Sequence, residues 1–557
     1  MENNVFDAGF ARRVGWKRTL VNILLTLVFA AVYYYAALPA LNPHAPELYR
    51  YLILVLVVFI VLTLLSSGLA AVLMSGREAV NAIRRNCLVP VIAVGVLLAA
   101  ALIGTVVGSV LFRADAYSRL LVPEPGDFAS EVEQISFDQI PMLDSDSANV
   151  LATRKLGELS DLVSQFEVSN TSVQINYQDR PVRVTYLDYG DFFKWWNNRA
   201  SGIPAYLVTD MVTQEVTVVR LGEGMRYSPS ELFGRDLMRH LRFSYPTKMF
   251  TDVNFEIDED GRPWWVASVS TRTIGLFGGE DVVGAVLCDA VTGQTIYCDI
   301  ADVPTWCDRV YDADLIIEQY DYYGRYHNGF WNSLFGQTDC TVTTSGYNYI
   351  AQGDDVWLYT GITSVSGDQG NIGFILVNQR TRQASFYSCA GAEEHSAMDS
   401  AQGAVQQYAY RATFPLLLNI GGQPTYFMAL KDNSSLVKQY AMVNVQQYQI
   451  VATGATVAQC EQNYLALLRE NGVSAEVAGG VSAEPETVSG TLTDIRTAVL
   501  DGTTYYYLRL DGKGDFYRVS AAECEAVVTL DVGMHVTVTV SGEGAGGIVP
   551  AGSAAAD

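Results

Sequence analysis

Histidine is scarce: His44, His240, His327, His395 and His535 are the only five in 557 residues, widely separated, with no H-E-x-x-H and no His/Cys cluster. A metal centre of familiar ligand spacing is therefore not expected, nor is a cofactor. Positive charge is short as well. Lys and Arg number 36 against 60 Asp and Glu, and the net charge of −24 argues against binding nucleic acid phosphates. Eight cysteines are too few for a disulfide scaffold. Cys288, Cys298 and Cys307 read as buried thiols or, for Cys298 and Cys307, as one disulfide. There is no G-x-S-x-G, and Glu393–Ser400 (EEHSAMDS) reads as capping and solvated charge at a helix start. Asp258 and Asp260 flank a tight turn without the remaining ligands of a calcium loop. Charged residues make 17% of the chain, against a usual ~25%. Apolar residues reach 49% and the mean hydropathy is +0.15, which excludes global disorder and collagen-like or coiled-coil composition.

The apolar excess lies near the N-terminus. Thr19–Leu41, Tyr51–Met74 and Leu88–Phe112 carry no charged side chain, and each is long enough to cross a ~30 Å hydrocarbon core as a helix. The tail before the first run and the loop between the second and third carry +2 each, and the loop between the first and second carries none. Positive loops stay in the cytoplasm, so this pattern predicts a plasma-membrane protein with a cytoplasmic N-terminus. Residues 113–557, with a charge of −28, then lie outside. Tyr33, Tyr34, Tyr35, Tyr49 and Tyr51 gather at the outer interface, where amphipathic rings prefer to sit. Arg12-Arg13 with Ala36–Ala40 leaves open a cleaved signal, although the apolar run is longer than such signals usually are. Gly104-x-x-x-Gly108 in the third run allows close helix packing and self-association through that face.

Residues 113–182 read as a juxtamembrane connector with a helix near Leu156–Phe166. Beyond them a pattern recurs four times: strand, loop, apolar strand, turn, strand, helix. Its anchors are LVTDMVTQEVTVV around Asp210, AVLCDAVTGQTIY around Asp289, ILVNQRTRQASFY around Asn378 and MVNVQQYQIV around Asn444. An Asp or Asn opens each turn, as its side chain bonds nearby backbone amides, and Thr213, Thr292 and Thr381 follow three residues later. Helices are expected after each hairpin: from the capping box Ser228-Pro229-Ser230-Glu231, at Pro304–Val310, at Ala392–Tyr410, and from Thr456-x-x-Gln459 to Gly472. Asp260-Gly261 and Gly421-Gly422 mark hairpins between strands. Alternation along the strands predicts sheets with one face covered by helices.

The second unit, FEIDEDGRPWWVASV through VLCDAVTGQTIYCDI, resembles the PepSY family in its D-G turn, aromatic strand and D-x-x-T-G turn. Gln214 and Arg382 stand where that turn has glycine. The resemblance implies small α+β modules, extracytoplasmic and non-catalytic, some of them linked to protease inhibition. The whole chain is also similar to uncharacterised multi-span envelope proteins of Gram-positive bacteria.

After a soft linker at 472–487, four strand candidates at 488–541 resemble a small OB-like or SH3-like barrel, with AAECEA as a short helix. Residues 542–557 read as a disordered tail. The fold expected is thus α+β: tail 1–18, three transmembrane helices within 19–112, connector 113–182, tandem PepSY-like units over 183–471, and the barrel. One stretch stands out for chemistry. Tyr320, Tyr322, Tyr323, Tyr326, His327, Phe330 and Trp331 lie among Asn and Gly, as rings that stack on sugars or grip peptides do; the alternative is shared core between units. Trp195-Trp196 and Trp264-Trp265 read as core on one side and interface on the other. The expected role is a binding or scaffold protein without its own catalysis, with the bilayer and an envelope protein as partners. An envelope enzyme with a site between units, or an accessory subunit of a membrane complex, is the alternative.

Overall fold

A computed structural model describes residues 2–71, 76–132, 140–366, 370–434, 436–473, 486–500, 503–513, 516–520, 524–541 and 544–550. The chain forms two compact bodies, Met1–Ala475 and Glu476–Asp557. Helices and strands are mixed throughout, as expected.

Three long helices open the first body: α1 (Glu2–Ala37), α2 (Pro46–Ala71) and α3 (Gly76–Val107). Within them Trp16–Ala37, Pro46–Ser66 and Asn86–Val107 are apolar and long enough to cross a membrane. Polar side chains tie them together. Asn22 Nδ2 donates to Ser66 Oγ at 2.8 Å, and Asn86 Nδ2 donates to Thr19 Oγ1 at 3.0 Å. The helix ends depart from the apolar runs. The first helix stops at Ala37, where Leu38 turns left-handed (φ 50°). The second begins at Pro46, a residue that loses no hydrogen bond in a first turn. The third stops at Val107, and Leu111 and Phe112 belong to a separate helix, α4 (Val110–Tyr117).

The connector holds the strand Glu124–Gly126 and two helices, α5 (Phe128–Glu131) and α6 (Ser145–Gly157). The helix expected at 156–166 lies earlier, because Asp144 caps it by accepting from Ser147 N at 3.0 Å. Residues 158–165 form turns.

Four sheets follow, antiparallel except for one edge pair in the third. The first module joins Phe166–Tyr177, Arg180–Tyr189, Ile203–Asp210 and Val216–Met225 in that order. It therefore begins inside the expected connector. Helices α7 (Phe192–Asn198) and α8 (Leu237–Ser244) belong to it. The second module joins Met249–Ile257, Pro263–Ile274, Gly278–Asp289 and Thr295–Asp299, followed by α9 (Ala313–Tyr326). The third is built on Asp355–Ser364, Gly370–Asn378 and Ala384–Ala392, with Glu124–Gly126 parallel to the last and α10 (Glu394–Ala404) after it. The fourth pairs Leu416–Ile420, Gln423–Lys431, Val437–Asn444 and Val451–Gly454, closed by α11 (Val457–Glu470).

The recurring turn is the same object in three modules. Asp210, Asp289 and Asn378 each accept from the amides two and three residues on, at 2.8–2.9 Å. The residue after each Thr is left-handed: Gln214 (φ 63°), Gly293 (φ 75°) and Arg382 (φ 63°). Asn444 keeps only the bond to the third amide, Gln447 N, at 2.8 Å. The fourth helix starts as expected, with Thr456 Oγ1 accepting from Gln459 N at 3.2 Å.

Three expectations fail here. Residues 304–310 form no helix, because the amides of Asp308 and Arg309 are spent on the carboxylate of Glu256. Glu231 is no capping residue: it is buried, accepting from Tyr189 Oη and Trp195 Nε1 at 2.8 Å each, and Asp236 caps α8 instead. The middle sheets are covered on both faces. Trp265 lies in a core shared with the first module, and its neighbour Val266 in a core shared with α9 and the third module. A third core joins Tyr359 and Phe374 to Tyr426, Met442 and Tyr464 of the fourth module. Cys298 and Cys307 stand as separate thiols.

In the second body the strand Glu486–Leu500 bends at an irregularity between Leu492 and Asp494. Its first half pairs with His535–Ser541 and its second with Thr503–Leu510, giving a half-barrel around Leu492, Leu508, Val519 and Val536. Gly544–Pro550, expected in a tail, is a strand paired with His535–Ser541. The 3-10 turn here is Glu525–Thr529, and residues 521–523 and 551–557 lie outside the described residues.

Candidate functional site

The aromatic stretch is α9 and the turn after it. Asp312 caps α9, accepting from Asp314 N at 3.1 Å. Gly324 lets the helix lie close to the strand Thr341–Thr343, since a Cβ there would stand 2.3 Å from Thr341 O. The seven expected residues divide. Tyr320 follows Ala313 and Ile316 on the buried face and is core, with its hydroxyl 3.4 Å from Thr341 Oγ1. Tyr323 is half-buried, and its carbonyl pairs with His327 Nδ1 at 2.9 Å. Tyr322, Tyr326 and Phe330 recur every four residues, with ring centroids 6.1 and 6.3 Å apart. Tyr117 extends this rail at one end, 4.7 Å from Tyr322, and the exposed Trp331 and Phe335 extend it at the other, 5.9 Å apart. Two shallow grooves of about 360 and 390 Å³ share Arg325 and Tyr326. Glu318 and Asp321 line the first, and Phe330, Leu334 and Val342 the second. Apolar walls beside a few polar groups suit a ring-bearing or extended ligand. Burial raises the Asp321 carboxyl, although Thr343 donates both its amide, at 2.9 Å, and its hydroxyl, at 3.1 Å.

The glycine face of α3 meets something other than another span. A Cβ on Gly104 would stand 2.6 Å from Leu276 Cδ2, and one on Gly108 3.1 Å from Ile274 O. The hairpin tip of the second module therefore fills the face expected to pack helix on helix. Small residues serve close approach of any partner, and here the partner is a β-turn of the same chain. Tyr117 Oη donates to Gly108 O at 2.7 Å. Around the other spans, Arg242 Nε donates to Leu38 O at 2.9 Å, Leu41 N donates to Pro246 O at 2.7 Å, and His44 Nδ1 pairs with Leu276 O at 3.0 Å. Tyr49 meets Phe277 edge-on at 5.2 Å. The ends of the spans are thus bonded into the second module and α8.

A third site went unseen in the sequence. Glu256 is fully buried and accepts from Asp308 N at 2.8 Å and Arg309 N at 3.1 Å. Asp308 is buried too. Its Oδ2 accepts from Asn176 N of the first module at 2.6 Å, while Oδ1 has no partner. Asn176 Nδ2 in turn donates to Gly353 O, so the first three modules meet here. Burial pushes Glu256 up to about 7, against the pull of the two amides and Arg309. Burial, and then the charge of Glu256, raise Asp308 well above the usual carboxylate range. Nearby, burial brings Arg183 down to about 10, and Arg309 adds to the effect. A further acid hides in the stretch expected to be solvated. Glu394 is wholly buried, beside Thr344 and the Gly361 backbone. Burial raises its carboxyl as well.

No protein-family model matches the chain, and no curated protein is similar to it. The buried acids carry little sequence signal, because FEID and CDRV look like any strand and loop. Tyr320, expected in the aromatic surface, is core instead, and the spacing of 313, 316 and 320 is the signal that could have shown it.

Proposed function

We propose that the chain is a plasma-membrane scaffold whose large C-terminal part lies outside the cell and binds a protein partner in the envelope without catalysis of its own. The observation that carries this reading is four successive sheet modules of four to six strands, three of them sharing the same Asx turn, in a body bonded directly to the ends of three apolar helices. Such a body presents a surface at fixed height and orientation over the bilayer. The charge pattern of the tail and loops supports the sidedness. The Asp289–Gly293 turn and the aromatic strand Pro263–Ile274 support the PepSY-like character of the modules. The half-barrel Glu486–Pro550 is read as the OB-like or SH3-like element.

The rail from Tyr322 to Trp331, with its flanking grooves, is the proposed partner surface. A photocrosslinker at Tyr326 in intact cells should capture one envelope protein reproducibly, and Trp331→Ala should reduce that capture. Protease added outside intact cells should digest the part beyond α4. Digestion in inverted vesicles alone overturns the reading, as does hydrolysis of wall or peptide substrates that a single substitution abolishes.

A further inference from the structure

The first module bears an aromatic surface that its own core does not explain. In α7 only Trp195 turns inward, its Nε1 donating to Glu231. Phe192, Phe193 and Trp196 point out, and so does Phe233 of the neighbouring turn; Phe193 is 75% exposed and Phe233 63%. The rings form one patch. Phe192 lies 5.7 Å from Phe193 and 6.4 Å from Trp196, and Phe233 lies 6.0 Å from Trp195. Monomeric soluble surfaces seldom leave so many large rings together in water.

The patch adjoins the end of the first span. Arg239 Nη1 donates to Phe233 O at 2.6 Å, and Arg239 Nε donates to Tyr35 O at 3.3 Å. The same guanidinium stands 4.3 Å over the Tyr35 ring. Tyr35 is two residues from the end of Trp16–Ala37, so a single side chain separates Phe233 from the level where the span leaves the hydrocarbon. The charge is also unlike the rest of the chain. Lys194, Arg199, Arg235 and Arg239 lie on the elements that carry the rings, against Asp191, Glu231 and Asp236, in a protein of net charge −24. Lys194 pairs with Asp191 and Arg239 with Asp236, which leaves Arg199 and Arg235 without a carboxylate there among the described residues. Arg199 stacks 3.6 Å over Trp196, and Arg235 Nη1 donates to Arg199 O at 2.6 Å, which fixes a basic rim around the aromatic surface.

We infer that Phe192, Phe193, Trp196 and Phe233 sit in the interfacial layer of the bilayer that α1 crosses, with the arginine rim on lipid phosphates. A tryptophan, with an apolar body and a polar N–H, prefers that layer, phenylalanines beside it bury their rings at the headgroup–acyl boundary, and neighbouring cations gain from anionic headgroups. The occupant is lipid because the patch adjoins the end of a helix long and apolar enough to cross a bilayer and the arginines beside it complement phosphate. The inference rests on the spans alone, and holds whichever side the body occupies and whatever partner it binds.

The test uses the full chain in nanodiscs of phosphatidylglycerol and phosphatidylethanolamine, with p-benzoylphenylalanine at position 193 or 233. Position 448, an exposed tyrosine of the fourth module, serves as control, and position 27 inside α1 as positive reference. Illumination should give lipid adducts at 193, 233 and 27, with at least a tenfold lower yield at 448. Adducts at 27 but not at 193 or 233 overturn the inference, as do adducts at 193 and 233 to a second copy of the chain. A lipid yield at 448 equal to that at 193 overturns it too. Each exposed position lies outside the Trp195–Glu231 contact, and an unchanged melting temperature of each variant confirms that the fold is intact.

Discussion

Where the spans meet the second module, glycine lies against hydrocarbon and main chain; where the first three modules meet, carboxylate lies against amide. The first joint is Gly104 and Gly108 under Leu276 and Ile274. The second is Glu256 on Asp308 N and Arg309 N, with Asp308 on Asn176 N. Both hold rigid parts together, yet only the second depends on protons. A close apolar joint tolerates any pH and no added volume. A buried acidic joint tolerates modest shape change but is sensitive to charge, because two raised carboxyls share one desolvated space.

The sharpest break is Glu256→Ala. It strands two buried amides, and a loss of about 3–5 kcal/mol is expected in denaturation of the detergent-solubilised chain. Next comes pH. Glu256 and Asp308 hold their protons more tightly folded than unfolded, so their contribution is full below the ordinary carboxylate range and is lost as pH rises through about 7. The melting temperature should therefore fall between about pH 5 and pH 8, and Glu256→Gln should flatten that fall. A melting temperature that rises over this interval in the parent and not in the variant would contradict the assignment. Gly104→Leu tests the other joint: overpacking against Leu276 should cost about 1–3 kcal/mol, equally at both pH values. The smallest effect sharpens the contrast. Glu394 is buried beside Thr344 and Gly361 with its carboxyl raised by burial, so Glu394→Gln, which keeps the shape and one acceptor, should change stability by less than about 1 kcal/mol near neutral pH.

Much of the fold was legible because its signals are local. Asp210, Asp289 and Asn378 open turns whose amides they bind themselves, and Thr456 caps the helix it precedes. Gly421-Gly422 and Asp260-Gly261 gave correct hairpins for the same reason. Less of the candidate site was legible. Tyr322, Tyr326 and Phe330 form a rail, but Tyr320 is core, and the links to Tyr117 and Phe335 depend on contacts that no spacing announces. Pro304–Val310 looked helical and is not, since a glutamate some fifty residues earlier takes its amides. Ser228–Glu231 looked like a cap, yet Glu231 serves Tyr189 and Trp195.

Three apolar helices, four hairpin-bearing modules and the position of each turn follow from residue order, because apolar length, periodicity and Asx chemistry act over a few residues. Which faces are doubly buried, what rests on Gly104, and where Glu256, Asp308 and Glu394 lie were decided only when the sheets stacked. Burial, and the proton affinity it imposes, belongs to the neighbours a side chain acquires from far along the chain.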